Sequence, residues 1–151
     1  MKKYLYLLSF AFLTLSCEKK EQKNISKTDN NWVLKSTKEY TPLSFIEAAK
    51  KTVNPFDFSS IENDFQKGWI TAKDLDSLIL VVDSKETCNC YLDPLSSYIP
   101  NDSAQVGGFA IEFIKAFKEN KKVDFGLYSC PKVDEKEAEE LKVWWKNQNR
   151  E

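Results

Sequence analysis

Thr71-Ala72-Lys73-Asp74-Leu75-Asp76-Ser77-Leu78-Ile79-Leu80-Val81-Val82 is the stretch on which the reading of the fold turns. Leu75, Leu78, Ile79 and Val82 stand at the i, i+3, i+4, i+7 spacing of an amphipathic helix. Thr71 can cap its start, Asp74 lies near the positive end of the helix dipole, and Ile70 can touch Leu75 as a hydrophobic staple. The spacing predicts a helix over 71–82. Leu80 and Val81 give it a second apolar side, which places it centrally.

Downstream, residues 102–118 read as a partner helix. Asp102 or Ser103 would cap it, and Val106, Phe109, Ala110, Phe113 and Phe117 line one face, with Ile111 and Ile114 beside them. Gly107 and Gly108 each cost about 1 kcal/mol inside a helix relative to alanine. Either another backbone, such as that of the 71–82 helix, approaches closely there, or the helix begins after them. Between the two lies a loop that is long for a compact domain. Within it Cys90-Tyr91-Leu92 is a candidate short strand, and Asp93-Pro94 and Ile99-Pro100 are turn signals. Lys121 to Cys130 reads as an irregular return.

Upstream, Thr41-Pro42 is a helix start, and Leu43, Ile46, Ala49 and Val53 follow at helical spacing before Pro55 ends the run. Asp57 can cap a further helix with Phe58, Ile61 and Phe65 on one face, Phe56 and Ile61 as a staple, and Gly68 as its stop. Residues 32–40 read as a strand or extended lead-in, with Trp32, Val33 and Tyr40 packing as a lid. At the other end Asp134, with Glu137 at N3, caps a last helix carrying Ala138, Leu141 and Trp144 or Trp145. Adjacent tryptophans lie about 100° apart on a helix, so both can hardly be fully buried. The expectation is an all-α domain over 32–151: about five helices in helical hairpins, one long loop and a disulfide.

The first residues are of a different kind. Lys2 and Lys3 precede an apolar run over 4–16 that ends at Cys17. The run falls short of the roughly 20 residues a spanning helix needs and fits a secretory signal. Leu13, Leu15 and Ser16 before Cys17 resemble a bacterial lipoprotein lipobox, with Thr14 departing from the usual leucine. The resemblance implies removal of 1–16, acylation of Cys17 and a bacterial cell envelope location. Glu18 rather than Asp after the cysteine favours the outer membrane. Each buried acyl methylene adds about 0.8 kcal/mol, so several chains anchor a protein almost permanently. The alternative is an ordinary signal peptide with a coincidental cysteine. Residues 17–31, polar and without periodicity, read as a flexible lipidated tether.

Export favours disulfides. With Cys17 acylated, Cys88, Cys90 and Cys130 remain. A bridge from Cys90, or alternatively Cys88, to Cys130 closes a loop of about 40 residues, worth about 4 kcal/mol by the chain-entropy argument. Cys90 is preferred because Cys88 lies nearer the acidic turn. Three cysteines lack the fourth ligand of a usual zinc site, and the single residue between Cys88 and Cys90 is one short of the redox motif.

The 22 basic and 23 acidic residues balance, and there is no histidine. The basic residues form no stripe, which argues against a nucleic-acid partner. The lack of histidine removes the commonest general base and metal ligand. Asp74/Asp76 and Glu139/Glu140 sit on solvated helix faces, Tyr128-Ser129-Cys130 has no base nearby, and no glycine-rich phosphate loop exists. No enzyme, metal or cofactor is expected.

The run from Trp69 to Cys130, with Ser96-Ser97-Tyr98 and Gly107-Gly108, resembles uncharacterised bacterial helical domains, some with a HEAT-like look. Small lipid-anchored helical proteins with one disulfide also resemble immunity proteins. The function expected is that of a membrane-anchored, protein-binding lipoprotein. The 85–102 loop with Tyr91 and Tyr98, and the exposed member of Trp144/Trp145, are the partner-binding candidates, because aromatics serve as interface anchors. The alternatives are a structural lipoprotein of an envelope assembly and a histidine-free envelope enzyme. Simple closure of the core is the bland reading of each ring.

Overall fold

The computed structural model describes residues 35–51, 61–98 and 101–148. These residues belong to one unit, Trp32–Glu151. Four α-helices occur among them: α1 (Pro42–Lys51), α2 (Ala72–Ile79), α3 (Val106–Lys118) and α4 (Glu135–Gln148). A 3-10 turn at Thr37–Glu39 precedes α1. Four two-residue strands complete the set: β1 (Thr87–Cys88), β2 (Tyr91–Leu92), β3 (Ala104–Gln105) and β4 (Tyr128–Ser129). β1 pairs with β3 and β2 with β4, both antiparallel. The all-α expectation is therefore corrected to an α+β arrangement in which two small sheets divide the expected long loop.

α3 is the element everything else covers. It is buried on nearly all sides, from Val106 through Ile111 and again at Phe113, Ile114 and Ala116, and it packs against α1, α2 and α4. The central place assigned to the 71–82 helix goes to α3 instead. α2 stops at Ile79 and turns away, leaving Leu80 82% exposed. Its start is as the sequence suggests: the Asp74 carboxylate accepts from Thr71 N at 2.8 Å and Thr71 Oγ1 at 2.7 Å.

The start of α3 explains its glycines. A Cβ on Gly107 would stand 2.5 Å from Val82 O, and one on Gly108 would stand 2.3 Å from Pro131 O. Two other backbones thus cross the first turn of the helix. They also serve its free N–H groups: Val106 N donates to Glu86 O and Gly107 N to Ser84 O, both at 2.9 Å. No side-chain cap is needed. Asp102, expected as a cap, pairs instead with Lys132 at 3.0 Å.

Within the mostly aliphatic core lies an aromatic cluster. Phe45 of α1 sits among Phe65, Phe109, Phe113 and Phe125, with ring centroids between 5.6 and 6.0 Å away. Phe65 comes from no helix. The helix expected over 57–67 is absent over its described part, where Ile61 makes a parallel bridge with Lys35 and residues 62–66 run irregularly; its first residues, and Trp32 and Val33, lie outside the described residues. What holds this segment is Asp64. Its carboxylate accepts from Ser36 Oγ (2.7 Å), Thr37 N (2.8 Å) and Thr37 Oγ1 (2.6 Å), tying it to the fully buried Thr37. Burial alone would raise the pKa of Asp64, but these hydrogen bonds outweigh it and hold the group below its ordinary value.

Candidate functional site

The disulfide joins Cys90 to Cys130, the preferred pairing, with Cα atoms 4.5 Å apart. It brackets the β2–β4 pair, because Cys90 precedes Tyr91 and Cys130 follows Ser129, and Tyr91 lies opposite Ser129. Cys88 stays a free, buried thiol on β1. Burial, with Glu86 nearby, pushes its pKa up to about 11.

From the far end of that pair, the chain builds an apolar surface. Asp93 organises it. Its Oδ1 accepts from Leu95 N at 2.9 Å, its Oδ2 accepts from Tyr91 Oη and Asn63 N at 3.3 Å, and its own N–H donates to Leu127 O at 2.9 Å. In the loop before β4, Asp124 Oδ1 accepts from Gly126 N and Asn63 Nδ2, both at 2.9 Å. Gly126 has φ +61°, a turn conformation that suits glycine. Asn63 therefore clamps both loops from behind.

These loops display Leu95 (86% exposed), Leu127 (58%), Tyr98 (52%) and Tyr128 (50%). The Tyr98 and Tyr128 rings meet at 4.7 Å between centroids, tilted by 44°. Tyr98, one of the residues the sequence offers for partner binding, is exposed here. Leu95, Leu127 and Tyr128 escaped that reading. Their signal was position: Leu95 follows Asp93-Pro94 and Leu127-Tyr128 follows Gly126, so each apolar residue sits directly beside a turn residue.

Tyr91, the other tyrosine of the loop, is not on this surface. It is fully buried against Phe125 at 5.2 Å, and its hydroxyl donates to Ile61 O at 3.0 Å. Burial and the neighbouring Asp93 hold its phenol well above the ordinary pKa. Its role as a partner anchor is corrected to one in the core.

Trp144 and Trp145 are both half-buried. Trp145 Nε1 donates to Asp76 Oδ1 at 2.9 Å, joining α4 to α2. Trp144 packs beside Trp145 and lies 5.5 Å from Lys118 Nζ, in the range of a cation–π contact. With Val143 and the stems of Lys136, Glu139 and Glu140 it lines a shallow apolar hollow. α4 begins as expected, with Asp134 Oδ1 accepting from Lys136 N and Glu137 N at 2.9 and 3.0 Å.

The carboxylate pairs named in the sequence have local duties: Asp74 caps α2, Asp76 holds Trp145, and Glu140 lies 3.9 Å from Lys136. Among the described residues no group of three or more His, Cys, Asp or Glu side chains is placed to hold a metal ion. No described helix is long and apolar enough to cross a membrane. Cys17 lies outside the described residues.

Set against known protein families, curated proteins and solved structures, the chain matches none of them. What can be said of its activity therefore rests on its own surfaces.

Proposed function

We propose that the protein is a lipid-anchored envelope protein that docks a protein partner through Leu95, Tyr98, Leu127 and Tyr128. The anchor is supported by the Lys2-Lys3 start, the apolar run and Leu15-Ser16-Cys17. The docking surface is supported by one observation above all: two half-exposed tyrosines packed on each other, with exposed Leu95 and Leu127 on the same two stretches of chain. Tyrosine offers large contact area for few rotatable bonds, and its hydroxyl tolerates water before the partner arrives. The disulfide and the Asn63 clamp hold the backbone beneath, so little ordering entropy is lost on binding.

Site-specific photocrosslinking in the intact envelope tests this. A crosslinking residue at position 98 or 128 should capture one discrete protein, whereas the same residue at exposed Lys73 should not. Tyr98→Ser combined with Tyr128→Ser should weaken capture from position 127 by at least tenfold. Equal capture from Lys73, or capture unaffected by the double substitution, would remove this surface from consideration. For the anchor, the mass of the mature N-terminal peptide decides: acyl chains on Cys17 are expected, and an unmodified thiol there would refute it.

A further inference from the structure

α4 turns one side to its neighbours and the other to water. Its inner side is fixed by Ala138 and Leu141, both buried, and by the Trp145 bond to Asp76. Its outer side runs through Lys136, Glu139, Glu140, Val143, Lys146 and Asn147, all exposed. Val143 is the one large apolar side chain that α4 leaves exposed, at 50%. Beside it lies the shallow apolar hollow against Trp144, about 480 Å³ in volume.

The hollow has the outline of a socket. Lys136, Glu139, Glu140 and Val143 stand at i, i+3, i+4 and i+7, the four positions between which a side chain of a facing helix inserts. Trp144 closes one side, with Lys118 of α3 over its ring. A branched aliphatic side chain on a helix fits such a socket, and Val143 is one. α4 thus carries a knob and a socket on the same face, the requirement for a self-complementary contact.

Charge selects the occupant and its direction. Most charged groups of α4 are already paired: Glu135 with Lys85, Glu137 with Lys115, Lys142 with Asp83, and Lys136 with Glu140. Glu139 and Lys146 enter no ion pair among the described residues. Seven positions apart, they share one flank of Val143. They stand about 10 Å apart along the axis, too far to pair with each other. An antiparallel second copy turns that same flank toward itself. With its Val143 seated in the socket, its Lys146 comes within about 4 Å of Glu139 along the axis, and the pairing occurs twice. A parallel copy would set like charges against each other. An unrelated helix would match this knob, acid and base only by coincidence, whereas a second copy carries all three at the right spacing.

We propose that α4 is a self-association face: two copies of the chain pair antiparallel along it, Val143 of each in the hollow of the other and Glu139 of each beside Lys146 of the other. One pair of 14-residue helices covers less than the roughly 1,200 Å² of a stable complex. The dimer is therefore weak and forms where the chain is concentrated.

The test is photocrosslinking in cells that produce the full chain in two differently tagged forms. A crosslinking residue at position 147 should yield a product of twice the monomer mass that carries both tags, with the link mapping beside Lys136 of the other copy. The same residue at exposed Lys38 should yield none. Glu139→Lys turns two attractions into repulsions and should lower the yield at least about tenfold, and Lys146→Glu should do the same. The two together in one chain should restore it to within about twofold of the parent. Both side chains are unpaired in the single chain, so neither reversal should move its unfolding midpoint. The proposal falls if position 147 gives no doubly tagged product, if it captures a different protein instead, if the link joins position 147 to itself, or if the double reversal fails to restore what each single reversal removes.

Discussion

At the first turn of α3, two backbones come so near Gly107 and Gly108 that a methyl group has no room, while at the end of the β2–β4 pair four large apolar side chains face water. Both regions are well tied. The N–H groups of the helix start donate to the carbonyls of Glu86 and Ser84, and the loops are clamped by Asn63 and Asp93. Rigidity is therefore common to both, and burial is what separates them. The first region uses its fixed backbone to exclude water from the core. The second holds apolar groups in place outside it, on the surface we propose a partner covers.

Substitutions can press on this contrast from either side. Removing the staple with Cys90→Ser and Cys130→Ser should cost about 4 kcal/mol in denaturant unfolding. If the loss is much smaller, the exposed end does not depend on the bridge. Gly108→Ala should destabilise by about 3 kcal/mol, because its Cβ would meet a backbone carbonyl that cannot step aside. Gly126→Ala meets nothing within 4 Å. It carries only the left-handed penalty of about 1 kcal/mol. Near-equal effects of the two alanines would dissolve the contrast.

Tyr91→Phe should cost about 1–2 kcal/mol by stranding the buried Ile61 carbonyl. Asp64 gives a pH signature. Its folded pKa is depressed, so its contribution is fully present above the unfolded value near 3.8 and is lost as pH falls through the lower folded value. Asp64→Asn should lower the denaturant midpoint at neutral pH and flatten its acid decline below that point. Smallest of all, Tyr98→Ser with Tyr128→Ser should change stability by less than about 1 kcal/mol while weakening partner capture at least tenfold. A large stability loss there would make the tyrosine pair part of the core.

The helices were legible where a cap and a periodic face coincide. Thr71 with Asp74, Thr41 with Pro42, and Asp134 all start helices as their types suggest. The sheets were not, because two-residue strands are too short to show alternation, and only Cys90-Tyr91-Leu92 stood out. The helix expected over 57–67 failed over its described residues for a physical reason. Ile61 and Phe65 have helical spacing, yet each is held by its own distant contact, a backbone bridge to Lys35 for one and the Phe45 ring for the other. Tyr91 and Tyr98 look alike in sequence. Tyr91 faces the core because it joins a strand whose partner lies nearly forty residues away, while Tyr98 lies in no strand, and neither fact is visible locally.

The placement of Cys88 bears on how the protein should be handled. A thiol with its pKa near 11 is almost wholly protonated at neutral pH, and the thiolate is the form that attacks a disulfide. Though only two positions from Cys90, it stays chemically silent so long as the chain is folded. Heating or denaturant would release it. Samples that have been unfolded and cooled without a blocking agent should then carry scrambled bridges, whereas those never unfolded keep one isomer through long storage.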